Sequence, residues 1–314
     1  MTCLGAPVPF WGPAARLPRV PSQPAVTVCT NREPGAISES LEALREVVPE
    51  GRLALVTSGL GDDAVARHRA AAGPGVEVLV EPEAGLARAR NRALAWSPDP
   101  VIAFVDDDAV VDARWYTALS LAWDDAPESV ACIGGPIRPR YAVPPPAWLS
   151  APILPALTLI DLGPEIIDLD PTVTTVYGAN VSFRVGPLRE VGGFDPAFGH
   201  SGRRVFFAEE DEAQRALARA GYGIRWVPAP AVEHLIPAER LTRRSFLRRR
   251  FAYGATLGVR RARRRRVALR QALSSSAGCV VAAALRRDAL LMERAVRVAE
   301  NAGVLLAPLV ARGR

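Results

Sequence analysis

Two rhythms of apolar residues run through the first third of the chain. Short, nearly unbroken apolar runs stand at Ala25–Thr30 (AVTVCT), 52–57 (RLALVT), 76–80 (VEVLV) and 101–105 (VIAFV). Runs of this length and composition read as strands buried on both faces. Between them, Ile37, Leu41, Leu44 and Val48 recur at helical spacing over residues 37–48, and Leu86–Trp96 reads as a second helix. Gly59 and Gly61 mark a turn after the second run. Alternating strands and helices predict an α/β fold, with a mostly parallel, Rossmann-like sheet flanked by helices. Such sheets bind ligands at the carboxyl ends of their strands, and Thr30, Thr57 and Asp106 stand at those ends.

The second half is less regular. Residues 130–135 read as another strand, 138–155 as a Pro-rich loop over the sheet, and 173–183 as strand-like around Gly178. A helix is expected over 209–220 and a short strand over 223–227. From Glu239 the chain is helical and rich in Arg. The organisation expected is a flexible Pro-rich segment over 1–24, an α/β domain over 25–258 and an Arg-rich helical extension over 259–314.

Composition narrows the chemistry. The chain has 314 residues and a formal net charge of +6, and all 39 of its basic residues are Arg. The lack of Lys excludes a Walker-type phosphate loop and Schiff-base catalysis, whereas Arg can clamp phosphates through its planar fork. Cys3, Cys29, Cys132 and Cys279 are too far apart in sequence for a zinc motif. Unpaired thiols of this kind fit a reducing, cytoplasmic setting. Residues 1–24 do not read as a signal peptide, and no apolar stretch is long enough to span a bilayer. The Arg-rich stretch over 243–270 reads first as a solvated helix face. Its alternative is peripheral attraction to an anionic membrane at the inner face; no nucleic-acid motif accompanies it.

The strongest local signal is Phe104-Val-Asp-Asp-Asp108, where an apolar strand delivers three carboxylates to its end. Carboxylates this close repel one another, and a hard divalent cation bridging to diphosphate oxygens would satisfy them. Continued strand geometry would point Asp106 and Asp108 the same way and Asp107 oppositely. The rival reading is an acidic turn before the next helix. A second cluster, Glu209-Glu-Asp-Glu212, opens a helix whose dipole alone accounts for acidic residues. A carboxylate there could also serve as general base for a hydroxyl nucleophile. Trp148 reads as a loop anchor in the core rather than a sugar-stacking platform.

Taken in order, several blocks resemble the family 2 glycosyltransferases of GT-A fold over residues 26–258. They are Val26-Thr-Val-Cys-Thr-Asn-Arg32, Gly85-Leu-Ala-Arg-Ala-Arg-Asn91, Phe104–Asp108, Gly134-Gly-Pro136, Tyr177-Gly-Ala-Asn-Val-Ser-Phe183, Val191-Gly-Gly-Phe-Asp195, and Glu209–Glu212 followed by Ala220-Gly-Tyr222. The resemblance implies an inverting transferase that moves a sugar from a UDP- or other nucleotide-diphosphate sugar to an acceptor hydroxyl. It implies Mg2+ or Mn2+ held by Asp106, Asp108 and His234. Thr30, Asn31, Arg32, Arg90, Asp106 and Asp107 are expected to meet the nucleotide and its phosphates. Glu210, where the family has Asp, is the expected base, with Asp211 as its rival. Thr57 replaces an Asp that contacts the base in many members. The acceptor stays unidentified. The competing class is a non-catalytic nucleotide-sugar-binding or membrane-surface-docking module of the same fold. A sugar nucleotidyltransferase ranks below both, because the chain has neither a Gly-rich phosphate loop nor a Lys.

Overall fold

The computed structural model describes residues 23–197, 200–201, 204–205, 209–259, 265–285 and 287–312. Most of the expected Pro-rich segment, Cys3, and Arg260–Arg264 lie outside the described residues. The four apolar runs form β1 (Ala25–Thr30), β2 (Leu53–Ser58), β3 (Val76–Glu81) and β4 (Val101–Asp106). They are parallel neighbours in the order β3-β2-β1-β4. The connecting helices are α1 (Ser38–Val47), α2 (Asp62–Ala72) and α3 (Leu86–Trp96).

Side chains alternate across the strands, and both sets are buried. Val26, Val28, Leu53, Leu55 and Val105 join the core beneath α1, which buries Leu41 and Leu44, with Ile37 and Val48 buried at its two ends. Ala54, Val56, Ile102 and Phe104 join the opposite core, against Ala87, Ala89 and Ala93 of α3. Burial on both faces is why these strands read as continuous apolar runs rather than alternating ones.

After β4 come β5 (Ala109–Val111), α4 (Trp115–Asp125), β6 (Val130–Gly134), β7 (Ile137–Tyr141), β8 (Ile167–Leu169) and β9 (Asn180–Arg184). These are followed by α5 (Val185–Glu190), the two-residue strands β10 (His200–Ser201) and β11 (Arg204–Val205), α6 (Glu209–Arg219), β12 (Gly223–Trp226) and β13 (Val232–Ile236). The main sheet extends as β4-β9-β6-β12-β8, with β9 antiparallel to both of its neighbours. A small second sheet, β5-β13-β7, sits beyond the end of β4.

Two readings of the irregular half are corrected here. The loop expected over 138–155 begins as strand β7, parallel to β13, and includes a 3-10 helix at Ala151–Leu157. Pro139 interrupts the apolar pattern of β7, which pairs in the small sheet rather than in the main core. The strand expected over 173–183 begins only at Asn180. The residues before it leave the sheet to meet α6, as Val176 does through its amide N–H donated to Gln214.

The chain closes with α7 (Arg243–Val259), α8 (Arg265–Ala284) and α9 (Asp288–Arg312). The expected boundary after residue 258 falls in the last turn of α7, which packs along α9. Trp148 is buried against Phe246 of α7 in an edge-to-face contact at 5.0 Å, so it is an anchor. The helices cross closely at Gly254. A Cβ there would stand 1.9 Å from the Glu300 carbonyl oxygen, backbone that cannot yield unless the helices separate. Gly254→Ala is expected to destabilise the protein by about 1–3 kcal/mol. The check is a lower denaturant midpoint at unchanged m-value.

Candidate active site

β4 ends at Asp106, and the next two residues form a turn, so strand geometry does not persist through the triplet. Each aspartate takes a different direction. Asp107 accepts the Thr30 hydroxyl at 2.5 Å and faces the Arg32 guanidinium at 3.3 Å. Asp108 meets His234 Nε2 at 3.0 Å, Arg240 at 2.9 Å and Arg32 at 3.7 Å. Asp106 faces Arg90 at 3.5 Å.

The small sheet explains His234. β13 runs antiparallel to β5 and sets His234 opposite Ala109, while the Leu235 N–H donates to the Asp108 carbonyl. His234 Nδ1 lies 2.9 Å from the Leu157 carbonyl. A carbonyl only accepts, so Nδ1 donates to Leu157, while Nε2 stands between Asp108 Oδ1 at 3.0 Å and Arg240 at 3.1 Å.

Charge separates the aspartates further. Burial pushes Asp106 up to about 6, with Arg90 opposing and Asp108 adding to the rise. Burial also raises Asp107, against the hydrogen bond from Thr30. Burial acts the same way on Asp108, but His234, Arg240 and Arg32 outweigh it and hold that carboxyl at about 2. The three neighbours therefore differ in proton affinity because of their partners.

Arg90 joins this edge to α6. It is 2% exposed, with its guanidinium 2.8 Å from Glu209, 3.5 Å from Glu210 and 3.5 Å from Asp106. It also lies over the rings of Phe104 and Phe194 at 5.7 Å. Room for it comes from Gly178, where a Cβ would stand 2.1 Å from Arg90 Nη2. The next residue, Asn91, pins Phe194 by donating to its carbonyl at 2.7 Å and accepting its N–H at 2.9 Å. Arg90-Asn91, Gly178 and Gly193-Phe194 are thus parts of one packed unit.

Burial, then the charge of Glu210, push Glu209 up to about 8, while Arg90 opposes. Arg90 itself stays protonated: burial works against its charge, but Glu209, Glu210 and Asp106 favour it more strongly. Glu209→Ala removes the nearest partner of a buried guanidinium. It is expected to cost roughly 3 kcal/mol, and Glu209→Gln less, because the amide oxygen still accepts the hydrogen bond. Chemical denaturation of the two variants makes the comparison.

Glu210 accepts the Gly178 N–H at 3.2 Å. Asp211 is buried and accepts the Thr175 hydroxyl at 2.5 Å. Both line a cavity of about 210 Å3, together with Tyr177, Thr158 and, from α7, Arg249, Arg250 and Tyr253. Burial, then the charge of Asp211, push the Tyr177 hydroxyl up to about 12. Burial and the like charge of Arg240 bring Arg249 down to about 10. Both keep their protons at neutral pH and offer donors to whatever occupies the cavity. Burial likewise pushes the Cys29 thiol, beside Asp106 in the sheet register, up to about 12. A thiol held so high is disfavoured as a thiolate.

The structure thus gathers Thr30, Arg32, Arg90, Asp106, Asp107, Asp108, His234, Glu210 and Asp211 along one edge of the sheet; Asn31 is exposed beside Thr30. Sequence reasoning missed Arg240, Glu209 and His68. His68 is buried, with its ring nitrogens 2.8 and 2.9 Å from the carbonyls of Ala64 and Arg32, so it holds the turn after β1. Only the apolar positions around His68, Val65 and Ala72, hinted that it faces inward.

Comparison with known proteins places this edge in context. The model of "Glycosyl transferase family 2" matches residues 25–190. A pre-mycofactocin glycosyltransferase of Mycobacterium tuberculosis is 33% identical over 266 residues, covering 77% of this chain and 50% of that protein. A glucosyl-dolichyl phosphate glucuronosyltransferase of Haloferax volcanii is 27% identical over 127 residues, 40% of this chain and 39% of that protein. The chain spans half or less of the length of these curated relatives. Among solved structures, a mannosyltransferase of Pyrobaculum calidifontis in complex with GDP-Man and Mn2+ superimposes with a TM-score of 0.52. It is 18% identical, covering 96% of this chain and 78% of that one. At that identity the likeness shows the fold, a GT-A arrangement.

Proposed function

The chain belongs to glycosyl transferase family 2, and from that premise we propose that it moves a sugar from a nucleoside-diphosphate sugar to an acceptor hydroxyl with inversion at the anomeric carbon. One observation carries the reading. A single buried arginine, Arg90, ties the carboxylates ending β4 to the acidic start of α6, beside a cavity lined by Glu210 and Asp211. A donor edge and a base are thereby held in fixed relation.

In this reading Thr30, Asn31 and Arg32 receive the nucleotide and its phosphates, with Asp107 positioning Thr30 and Arg32. The residues suit a hard divalent cation. Asp106 is a third exposed, Asp108 is kept ionised, and Nε2 of His234 stands 3.0 Å from Asp108. Asp106, Asp108 and His234 would hold Mg2+ or Mn2+, which would supply charge neutralisation to the departing diphosphate. The solved mannosyltransferase, described with GDP-Man and Mn2+, supports that choice by analogy.

Arg90 acts as a positioning residue, since its guanidinium is enclosed by carboxylates and rings. Glu210 takes the proton of the acceptor hydroxyl as that oxygen bonds to the anomeric carbon and the bond to the diphosphate breaks. Glu210 is favoured over Asp211 because it links Arg90 to the cavity, whereas Asp211 is committed to Thr175. The acceptor does not carry over from relatives, whose names specify a glucosyl-dolichyl phosphate in one case and pre-mycofactocin in the other.

The test is nucleoside-diphosphate release from a panel of UDP-, GDP- and dTDP-sugars with and without Mn2+. Metal-dependent consumption of one donor class is expected. Nucleotide binding with no consumption and no transfer would favour the non-catalytic module instead.

A membrane contact has its own support. No described helix is long and apolar enough to cross a bilayer. On α8, however, Leu269, Leu273 and Val281, with Leu285 just past its end, are 50–64% exposed, and the Arg-rich stretch adjoins them in sequence. Exposed apolar side chains beside arginines suit an anionic bilayer surface. The protein is expected to sediment with phosphatidylglycerol vesicles at low salt and to release at high salt. Absence of sedimentation at low salt would remove the contact.

A further inference from the structure

Two neighbouring arginines of α7, Arg249 and Arg250, line the cavity that holds Glu210. Their surroundings separate them. Arg250 is tied to α9 through its ion pair with Glu300 and lies over the Tyr253 ring at 4.8 Å. Arg249 donates its Nε–H to the Ala156 carbonyl at 3.1 Å, in the 3-10 helix that forms another part of the wall. A guanidinium carries five N–H donors, and this carbonyl takes one of them. Phe246, three residues earlier and so on the same side of α7, is fully buried against Trp148. That packing fixes the rotation of the helix and sets Arg249 on the cavity wall.

The charges around Arg249 locate it further. Burial and the like charge of Arg240 disfavour its protonated form, while Asp108 and Asp106 favour it. One guanidinium thus lines the cavity of the expected base and lies within electrostatic reach of the carboxylates ending β4. In the transfer, the bond from the anomeric carbon to the diphosphate breaks between those two places. Its electron pair leaves on the diphosphate oxygen, whose negative charge grows as the acceptor oxygen bonds to the carbon. A fixed, half-buried guanidinium stabilises such a charge as it develops, and its planar fork fits phosphate oxygens.

We propose that Arg249 is a catalytic residue that contacts the β-phosphate of the donor and stabilises the nucleoside diphosphate as it departs. The role rests on the glycosyltransferase reading. It adds a leaving-group contact from α7, beyond the residues 25–190 that match the family.

Calorimetry on the full chain with Mg2+ present tests it, comparing UDP, GDP and dTDP with UMP, GMP and dTMP. The wild-type protein is expected to prefer one diphosphate over its monophosphate. Arg249→Gln should shrink that preference about tenfold, the worth of one charge-assisted hydrogen bond. Its monophosphate affinity should stay at the wild-type value, because the contact is to the β-phosphate alone. The same variant should lower kcat for transfer by about a hundredfold. Arg249→Lys keeps the charge but not the fork, so it should shrink the preference by a smaller factor, and it gives the answer should Arg249→Gln fail to fold. An undiminished preference in the folded variants would overturn the contact, and would be the result if Arg249 served an anionic acceptor instead. Mono- and diphosphate affinities that fall together would also overturn it, since a merely structural arginine acts on both. If the wild-type protein binds diphosphate and the variants bind it equally well, the role of Arg249 alone fails. If the wild-type protein binds none of the six nucleotides, the glycosyltransferase reading fails too.

Discussion

Glu210→Gln is expected to lower kcat for sugar transfer by about a hundred- to ten-thousand-fold, the range that a positioned general base contributes. Gln keeps the shape of the side chain and can still accept the Gly178 N–H, so fold and nucleotide affinity should stay at wild-type values. Asp211→Asn is the necessary comparison. Asp211 is buried and accepts the Thr175 hydroxyl, so its variant should lose stability and a smaller part of kcat. A larger kcat loss in Asp211→Asn than in Glu210→Gln would reassign the base.

Asp108→Ala carries the second large effect. Asp108 faces His234, Arg240 and Arg32 and is 12% exposed at its side chain, so removing it takes away the carboxylate that the two guanidinium groups share. Loss of such a partner should cost about 2–3 kcal/mol of stability. Transfer should fall by about a hundredfold or more through loss of charge stabilisation at the diphosphate. Asp108→Asn separates the two effects, because it restores much of the shape but not the charge. Transfer should remain low in Asp108→Asn even well below its melting temperature. Wild-type transfer by Asp108→Asn would mean that this carboxylate has no part in donor binding.

How legible the protein was differs along the chain. The parallel half was readable because β1 to β4 are buried on both faces and carry no competing signal, while Ile37, Leu41, Leu44 and Val48 mark one helical face. The Asp triplet was readable as a cluster, but its internal geometry was not. Strand alternation would pair Asp106 with Asp108, whereas the turn after Asp106 sends each aspartate to a different partner. Those partners come from three other elements: Thr30 from β1, Arg90 from α3 and His234 from the small β5-β13-β7 sheet. Arg90 illustrates the same limit. Its place in the helix suggested a donor contact, yet its depth against Glu209, and the clearance at Gly178 that permits it, depend on chain segments about 90 and 120 residues away. Strand β7 was hidden because its residues, Ile137–Tyr141, include a proline and pair across a small edge sheet rather than in the main core.

The most direct measurement is calorimetric binding of UDP, GDP and dTDP to the wild-type protein with and without Mn2+, repeated on Asp108→Asn. The expected result is tight binding of one nucleotide only when Mn2+ is present, with that metal dependence lost in the variant. A folded wild-type protein that binds none of the nucleotides, or binds one equally well without metal and in Asp108→Asn, would contradict the donor site at the carboxyl end of β4.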